Sequence, residues 1–383
     1  MKGTKTKEYI DKLIADKGIP YIDFYMSVGQ ECVYRYYASK DGKATGKEKL
    51  WFYSATKPIT VVAAMRLVGE GKLSLDDEVS KYIPAFENTF LADGTPTKNK
   101  MTVRQLFTMS AGLSYNVWGE PYKSLLEGVD KNATTLDVIS ALAKAPLLFE
   151  PGERFEYSLC HDVLAAVVEV ASGKRFAEYL DEVIFKPLKM ANTGFHLEKT
   201  ETLAPCYFSE KTNIYEMPNE NFFVFTDNYD SGGAGAISCV DDYAKFAKTL
   251  ACGGVSEDGY RLLSEDALKQ LRTCQHGNLQ LQSTFTCVQG EDYGYGLGVR
   301  VRKAPTKWGL AEGEFGWDGA AGTYLMVDPE RQISIVIGMH LRNWPEVFTG
   351  EHLQLVKCAY EDLQEKKSLK EVKNACNLHI IML

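Results

Sequence analysis

Apolar positions recur at two periods along this chain, and they divide it into three blocks. The first opens on a helical stripe, Tyr9, Ile10, Leu13 and Ile14, which predicts an amphipathic helix. Residues 20–53 then turn to β-type sequence. "YIDFYMSV" and "CVYRYYAS" are rich in aromatic and β-branched residues and flank Gly29-Gln30, which predicts a hairpin. From about 57 to 280 helical patterns and loops dominate, starting with "ITVVAAMRLV" (59–68), apolar almost all round and so expected to lie buried between layers. Capping boxes at Thr102–Gln105 and Ser238–Asp241 each precede an apolar helical pattern. Strands return in "YGYGLGVRV", then in "GTYLMV" and "QISIVIGMH", which a Pro-containing "DPER" turn joins. A helix rich in Leu and Val, "HLQLVKCAYEDLQ", follows. Sheet-forming sequence at both ends and helices between them predict one discontinuous α/β domain with a helical insertion. Residues near 20–53 and 290–340 are expected to share one antiparallel sheet. The expected division is 1–75 with 285–365 as the α/β part, 76–284 as the mainly helical insertion, and 366–383 as a C-terminal tail.

Composition narrows the partners. A chain of 383 residues, 45% apolar and 25% charged, is an ordinary globular protein long enough for two subdomains. A net charge of −8 without basic runs argues against nucleic acid or an anionic membrane as partner. Nine cysteines, scattered from Cys32 to Cys376 without C-x-x-C spacing, suit reduced thiols better than a disulfide framework or a zinc site. "MKGTKTKEYIDKL" has no apolar h-region, and no apolar run approaches the roughly 18 residues of a membrane span. A cytoplasmic location is therefore the expectation. The final "NLHIIML" is too short to cross a bilayer, so packing or disorder is expected of it. Six histidines, among them His161, His196 and His340, show no H-x-x-x-H pairing, and neither a metal nor another cofactor is expected.

Candidate chemistry starts at "WFYSATKPIT", where Ser54 and Lys57 stand three residues apart. On a helix such residues share a face, and burial favours the neutral lysine that can take a proton from a serine hydroxyl. Pro58 is tolerated near a first turn, so a helix should begin close to Ser54. The tetrad alone also fits a capping serine with a lysine that reaches solvent. About 100 residues on, a Pro- and Gly-rich turn leads to Tyr157, placed to relay protons or simply to pack. Later still, Trp317-Asp318-Gly319 precedes a strand. Glycine there lets substrate lie along the backbone, and the Ala320 amide could face a developing oxyanion; an ordinary Gly-rich strand entry fits the same residues.

Order and spacing together resemble the serine β-lactamase and penicillin-binding-protein superfamily. The resemblance runs over roughly residues 20–345 and includes "LVGEGKLSLDDEVSKYIPAF", "MTVRQLFTMSAGLS", "VASGKRFAEYLDEVIFKPLKMANTGF" and "GAGAISCVDDYAKFAKTLACGG", typical of the class C β-lactamase-like branch. Within it the likeness is closest to the family VIII carboxylesterases, with "YSL" and a W-x-G triplet where β-lactamases carry Y-x-N and K-T-G. The resemblance implies a β-lactamase/transpeptidase-like fold, an antiparallel sheet flanked by helices with a mainly helical insertion. It implies Ser54 as nucleophile, Lys57 and Tyr157 as general base and acid, and the amides of Ser54 and Ala320 as oxyanion hole. Ser158 would only support the loop. Trp317 would wall the acyl or alcohol pocket; the candidate substrate-binding positions are Leu159, Trp317, Asp318 and Gly319, although the resemblance assigns Asp318 no role and it is expected to face solvent.

Two departures bear on substrate. Leu159 stands where β-lactamases hold a side-chain amide with asparagine, and Trp317 where a lysine attracts the β-lactam carboxylate. Each loss should weaken that recognition by roughly 1–3 kcal/mol. Small or medium acyl esters are the expected small-molecule substrates, with acyl transfer as a variant. The alternatives are β-lactam or D-alanyl-peptide hydrolysis on the same fold, and a silent binding module. Arg342, after the last strand, is a candidate replacement cation. Ser110 lacks a G-x-S-x-G elbow, and the "SGGAGA" run at 231–236 lacks the lysine of a phosphate loop, so a structural loop and a cleft-lining turn are expected of them.

Overall fold

The structure is a computed structural model that describes residues 4–196, 203–210, 213–276 and 290–381, with side chains as far as Lys366. Helix α1 (Thr4–Lys17) leads into β1 (Tyr21–Val28), β2 (Glu31–Ser39) and the short β3 (Leu50–Trp51). Helices α2 (Lys57–Gly69), α3 (Val103–Phe107), α4 (Tyr122–Glu127), α5 (Thr135–Leu142), α6 (Cys160–Ser172) and α7 (Phe176–Leu180) follow. Then come β4 (Cys206–Glu210), β5 (Asn213–Met217), β6 (Ile237–Ser238), α8 (Val240–Ala251) and α9 (Glu265–Leu271). The chain ends with β7 (Tyr293–Tyr295), β8 (Arg300–Arg302), β9 (Phe315–Asp318), β10 (Tyr324–Asp328), β11 (Ile333–Gly338), β12 (Leu341–Arg342) and a helix over His352–Ile381.

Seven strands form one antiparallel sheet in the order β2-β1-β11-β10-β9-β8-β7, so the hairpin near the start of the chain pairs with strands some 300 residues later. Period-2 alternation decides which face each residue serves. On β10, Tyr324 and Met326 join the core under α1 and the last helix, with Phe24, Ile335, Leu355 and Ala359. Leu325 and Val327 join the opposite core with α2, α6 and α8. Both faces are covered, which is why β11 reads as a continuous apolar run, all six residues buried. Helix α8, from the 76–284 stretch, packs directly on the sheet: Val240 Cγ2 lies 2.5 Å from where a Cβ on Gly338 would sit.

Helix α2 is buried on nearly every side, from Lys57 and Pro58 through Ile59, Val61, Val62 and Met65 to Leu67. Each fully buried aliphatic side chain contributes about 1.5–3 kcal/mol, enough to hold a helix that also carries a buried lysine. Its start is displaced from the expected position. Ser54 lies in a 3-10 turn, Tyr53–Thr56, and the α-helix proper begins at Lys57 with Pro58 in its first turn.

Two expectations need correction. The segment 20–53 is not wholly in the main sheet, because β3 leaves it to pair with β6, Leu50 opposite Ser238. The Ser238–Asp241 capping box does not form, because Ser238 is used in that pairing and hydrogen-bonds Thr193 Oγ1 (2.7 Å), leaving Cys239 as the N-cap. The box at Thr102–Gln105 does form. The middle block also contains strands: β4 and β5 make a hairpin that β12 extends in parallel. The 284–285 boundary, and the packing of residues 367–383, lie outside the described residues.

Strand β9 is braced by a buried ion pair. Arg300 on β8, 1% exposed, donates to Asp318 Oδ1 (3.1 Å), Glu314 Oε1 (3.3 Å) and the Leu325 carbonyl (2.8 Å). Removing one partner from such a group strands the remaining buried charges, at a cost of about 3–5 kcal/mol. Arg300→Met should therefore lower stability by about that amount, read as a shift of the urea midpoint at unchanged slope. A midpoint equal to that of the unaltered protein would refute the bracing role.

Candidate active site

Local chain chemistry sets Ser54 at a bend. Tyr53, immediately before it, has φ +43°, in the left-handed region that bulky residues rarely adopt. The bend is held on both sides: the Phe52 amide donates to the Ala236 carbonyl (2.9 Å), and the Tyr243 hydroxyl to the Ala55 carbonyl (2.6 Å). One helical turn on, Lys57 reaches back, its Nζ 3.3 Å from Ser54 Oγ. The lysine is fully buried. Its second polar contact is a hydrogen bond to the Gly233 carbonyl (2.8 Å).

That carbonyl explains the glycine-rich run 231–236. The Gly232 carbonyl accepts from Thr60 Oγ1 (2.6 Å), the Gly233 carbonyl from Lys57, and the Ala236 amide donates to Thr56 Oγ1 (3.0 Å), so the run follows α2 turn by turn. A Cβ on Gly233 would meet Asp162 Oδ2 at 2.3 Å. Asp162 is the hub behind the run: its Oδ1 accepts from Tyr229 (2.9 Å), Ser231 (2.7 Å) and the Gly233 amide (3.3 Å). Burial raises its pKa above the usual carboxylate range, opposed by Lys57 and these three donors.

Tyr157 closes the other side. The lysine Nζ sits 4.6 Å from the centre of the Tyr157 ring, and the Tyr157 hydroxyl accepts from Trp317 Nε1 (3.2 Å), the two rings lying nearly parallel. A second tyrosine, missed in the sequence, belongs here. The Tyr115 ring centre lies 5.4 Å from Lys57 Nζ and 5.3 Å from that of Tyr157. Burial, then the nearby Tyr157 and Asp162, raise its pKa well above the ordinary phenol value. Its signal was one residue past the quoted "MTVRQLFTMSAGLS", at the end of a Gly-containing loop. Phe223 stacks on Tyr115, and Trp118, 60% exposed, abuts Phe223, so an aromatic wall runs from the serine to solvent.

The third part comes off β9. Pairing with β10 ends at Asp318–Tyr324; the Gly319 amide then donates to the Thr323 carbonyl (2.7 Å), and Ala320 stands exposed in the turn. A Cβ on Gly319 would lie 2.2 Å from the Phe52 carbonyl, so only glycine lets this strand end approach the serine bend. Neither the Ser54 nor the Ala320 amide donates to a backbone acceptor among the described residues.

The remaining candidates take other places. Leu159 is 1% exposed and begins α6 from within the core, and Ser158 bonds Cys160 Sγ (3.1 Å) beneath the loop. Asp318 does not face solvent; it is 8% exposed and paired with Arg300, because alternation along β9 turns it away from Trp317. Ser110 is buried and bonded to Thr108. Among the described residues no group of three or more His, Cys, Asp or Glu side chains converges as metal ligands, and no helix is long and apolar enough to cross a membrane.

Comparison with known proteins points the same way. A family model described as "Beta-lactamase" matches residues 7–357. The esterase EstB of Burkholderia gladioli is 30% identical over 311 residues, covering 74% of this chain and 75% of that protein. Protein Rv1367c of Mycobacterium tuberculosis is 29% identical over 310 residues, with the same shares covered. Among solved structures, EstCE1, a hydrolase with promiscuous acyltransferase activity, superposes with a TM-score of 0.78 at 26% identity, over 93% of this chain and 98% of that one.

The approach of Gly319 to Phe52 makes one substitution diagnostic. Gly319→Ala should lower ester turnover by about a hundredfold, since a shift near 1 Å at the reacting centre has that effect. The overpacked contact should also lower stability, by about 1–3 kcal/mol. Unchanged turnover would contradict the placement.

Proposed function

The chain belongs to the β-lactamase family, and from that membership we propose that it is a serine ester hydrolase working through an acyl-enzyme on Ser54. The observation that carries the reading is the fully buried Lys57, with Nζ 3.3 Å from Ser54 Oγ and its other hydrogen bond made to a backbone carbonyl. In its neutral form Lys57 takes the Ser54 proton as Oγ attacks the ester carbonyl. The oxyanion that forms sits between the amides of Ser54 and Ala320, each donor contributing about 10²–10³ in rate. The Tyr157 hydroxyl, oriented by the Trp317 indole N–H, hands a proton to the departing alkoxide. The alcohol leaves and the acyl group stays on Ser54. Water then attacks by the reverse path to release the acid. A second alcohol in place of water gives a new ester, the variant that the likeness to EstCE1 supports. The early and late segments of the chain supply Ser54, Lys57 and Ala320, and the stretch between them supplies Tyr115, Tyr157 and Gly233.

Substrate choice follows from what lines the cleft. The wall is aromatic, with Trp317 stacked on Tyr157 where a β-lactamase places a cation, and Leu159, buried in the core, supplies no side-chain amide. Two lost contacts of roughly 1–3 kcal/mol each disfavour β-lactams. A p-nitrophenyl acetate or butyrate should show kcat/KM about a hundredfold or more above that of a chromogenic cephalosporin. Efficient cephalosporin hydrolysis with negligible ester turnover would overturn the assignment in favour of a β-lactamase.

A further inference from the structure

Arg342 stands apart from the other charged groups around the cleft. The Leu341 amide donates to the Ala321 carbonyl (3.1 Å), which sets β12 beside the turn that carries Ala320. The Arg342 guanidinium lies over two rings, Tyr53 at 5.5 Å and Phe222 at 5.4 Å. Tyr53 precedes Ser54, and Phe222 precedes Phe223, which stacks on Tyr115. Both rings are thus one residue, about 3.8 Å along the chain, from side chains of the cleft. Tyr53 is buried, whereas Phe222 is 46% exposed, so the slot opens to solvent on the Phe222 side.

Its charge is uncompensated. Arg300 has two carboxylates, but among the described residues none comes within ion-pair distance of Arg342, and its Nη1 is shielded from water without an acceptor. The titratable groups that face it are the Tyr53 hydroxyl, the Cys206 thiol and His340. Burial pushes the first two upward and His340 down to about 4, so all three are neutral near pH 7. A shielded guanidinium N–H without an acceptor is destabilising, and an incoming anion relieves it.

We propose that Arg342, held between Tyr53 and Phe222, is the subsite for a carboxylate carried by the ester substrate. The inference rests on Ser54 being the nucleophile and adds a substrate class to that reading. The neutral part of the ester packs against Tyr115, Tyr157 and Trp317, and the acid group is read at β12. Arginine suits the task because its planar fork binds carboxylate in a bidentate manner and stacks on aromatic faces.

The test compares three esters on the full chain: p-nitrophenyl butyrate, mono-p-nitrophenyl glutarate with the acid on the acyl half, and 4-acetoxybenzoate with the acid on the alcohol half. Arg342→Gln should lower kcat/KM for one of the acid-bearing esters by roughly ten- to a hundredfold, mainly through KM, while the neutral ester falls far less. The ester that responds tells which half carries the acid. Arg342→Lys should restore part of the loss. If Arg342→Gln does not fold, Phe222→Ala, at an exposed ring, should give the same selective loss. An equal loss for all three esters would make Arg342 only a clamp on Tyr53, and no loss for any would remove it from recognition; either result overturns the proposal. Absence of neutral-ester turnover in the unaltered protein would instead overturn the Ser54 reading beneath it.

Discussion

The hydrogen bond from the buried Lys57 to the Gly233 carbonyl is the contact around which the rest is arranged. A lysine taken wholly out of water is tolerated only where each N–H finds a partner. Helix α2 supplies the burial, and the glycine run 231–236 supplies the carbonyl, because only residues without Cβ fit between α2 and Asp162 at Gly233. Asp162 fixes the run through three donors, and the β3–β6 pairing fixes its far end to the residues before Ser54.

The same economy governs the strand opposite. Arg300 ties Asp318 and Glu314 into the sheet, so β9 can end abruptly and present Gly319 and Ala320 to the bend at Ser54. Alternation along β9 assigns consecutive residues to different tasks: Trp317 orients Tyr157 within the cleft, and Asp318 anchors the strand behind it. Structural and chemical roles are thus interleaved residue by residue along a single strand.

Much of this was legible because it is local or periodic. The S-x-x-K spacing, the apolar α2, the Gly29-Gln30 hairpin and the alternating β10 and β11 are properties of neighbouring residues. What escaped the sequence depends on partners far away in it. Asp318 reads as solvent-facing in its own segment because its partner, Arg300, lies 18 residues earlier on another strand. Tyr115 and Asp162 are ordinary in their own segments and acquire meaning only beside Ser54 and Gly233. The β4–β5 hairpin was missed because its exposure pattern is mixed, with little of the apolar alternation that marks a strand. Ser238 had a capping signature, but strand pairing with β3 outcompeted the cap.

The most direct test of the central claim is to trap the intermediate. The protein is mixed with p-nitrophenyl acetate, quenched in acid within the first turnovers, digested and mapped by mass spectrometry. The account predicts one acetyl group on the peptide that carries Ser54, appearing with a burst of p-nitrophenol, and neither burst nor adduct in Ser54→Ala. An acetyl group on Ser110 or on a lysine, or a full burst from Ser54→Ala, would contradict it.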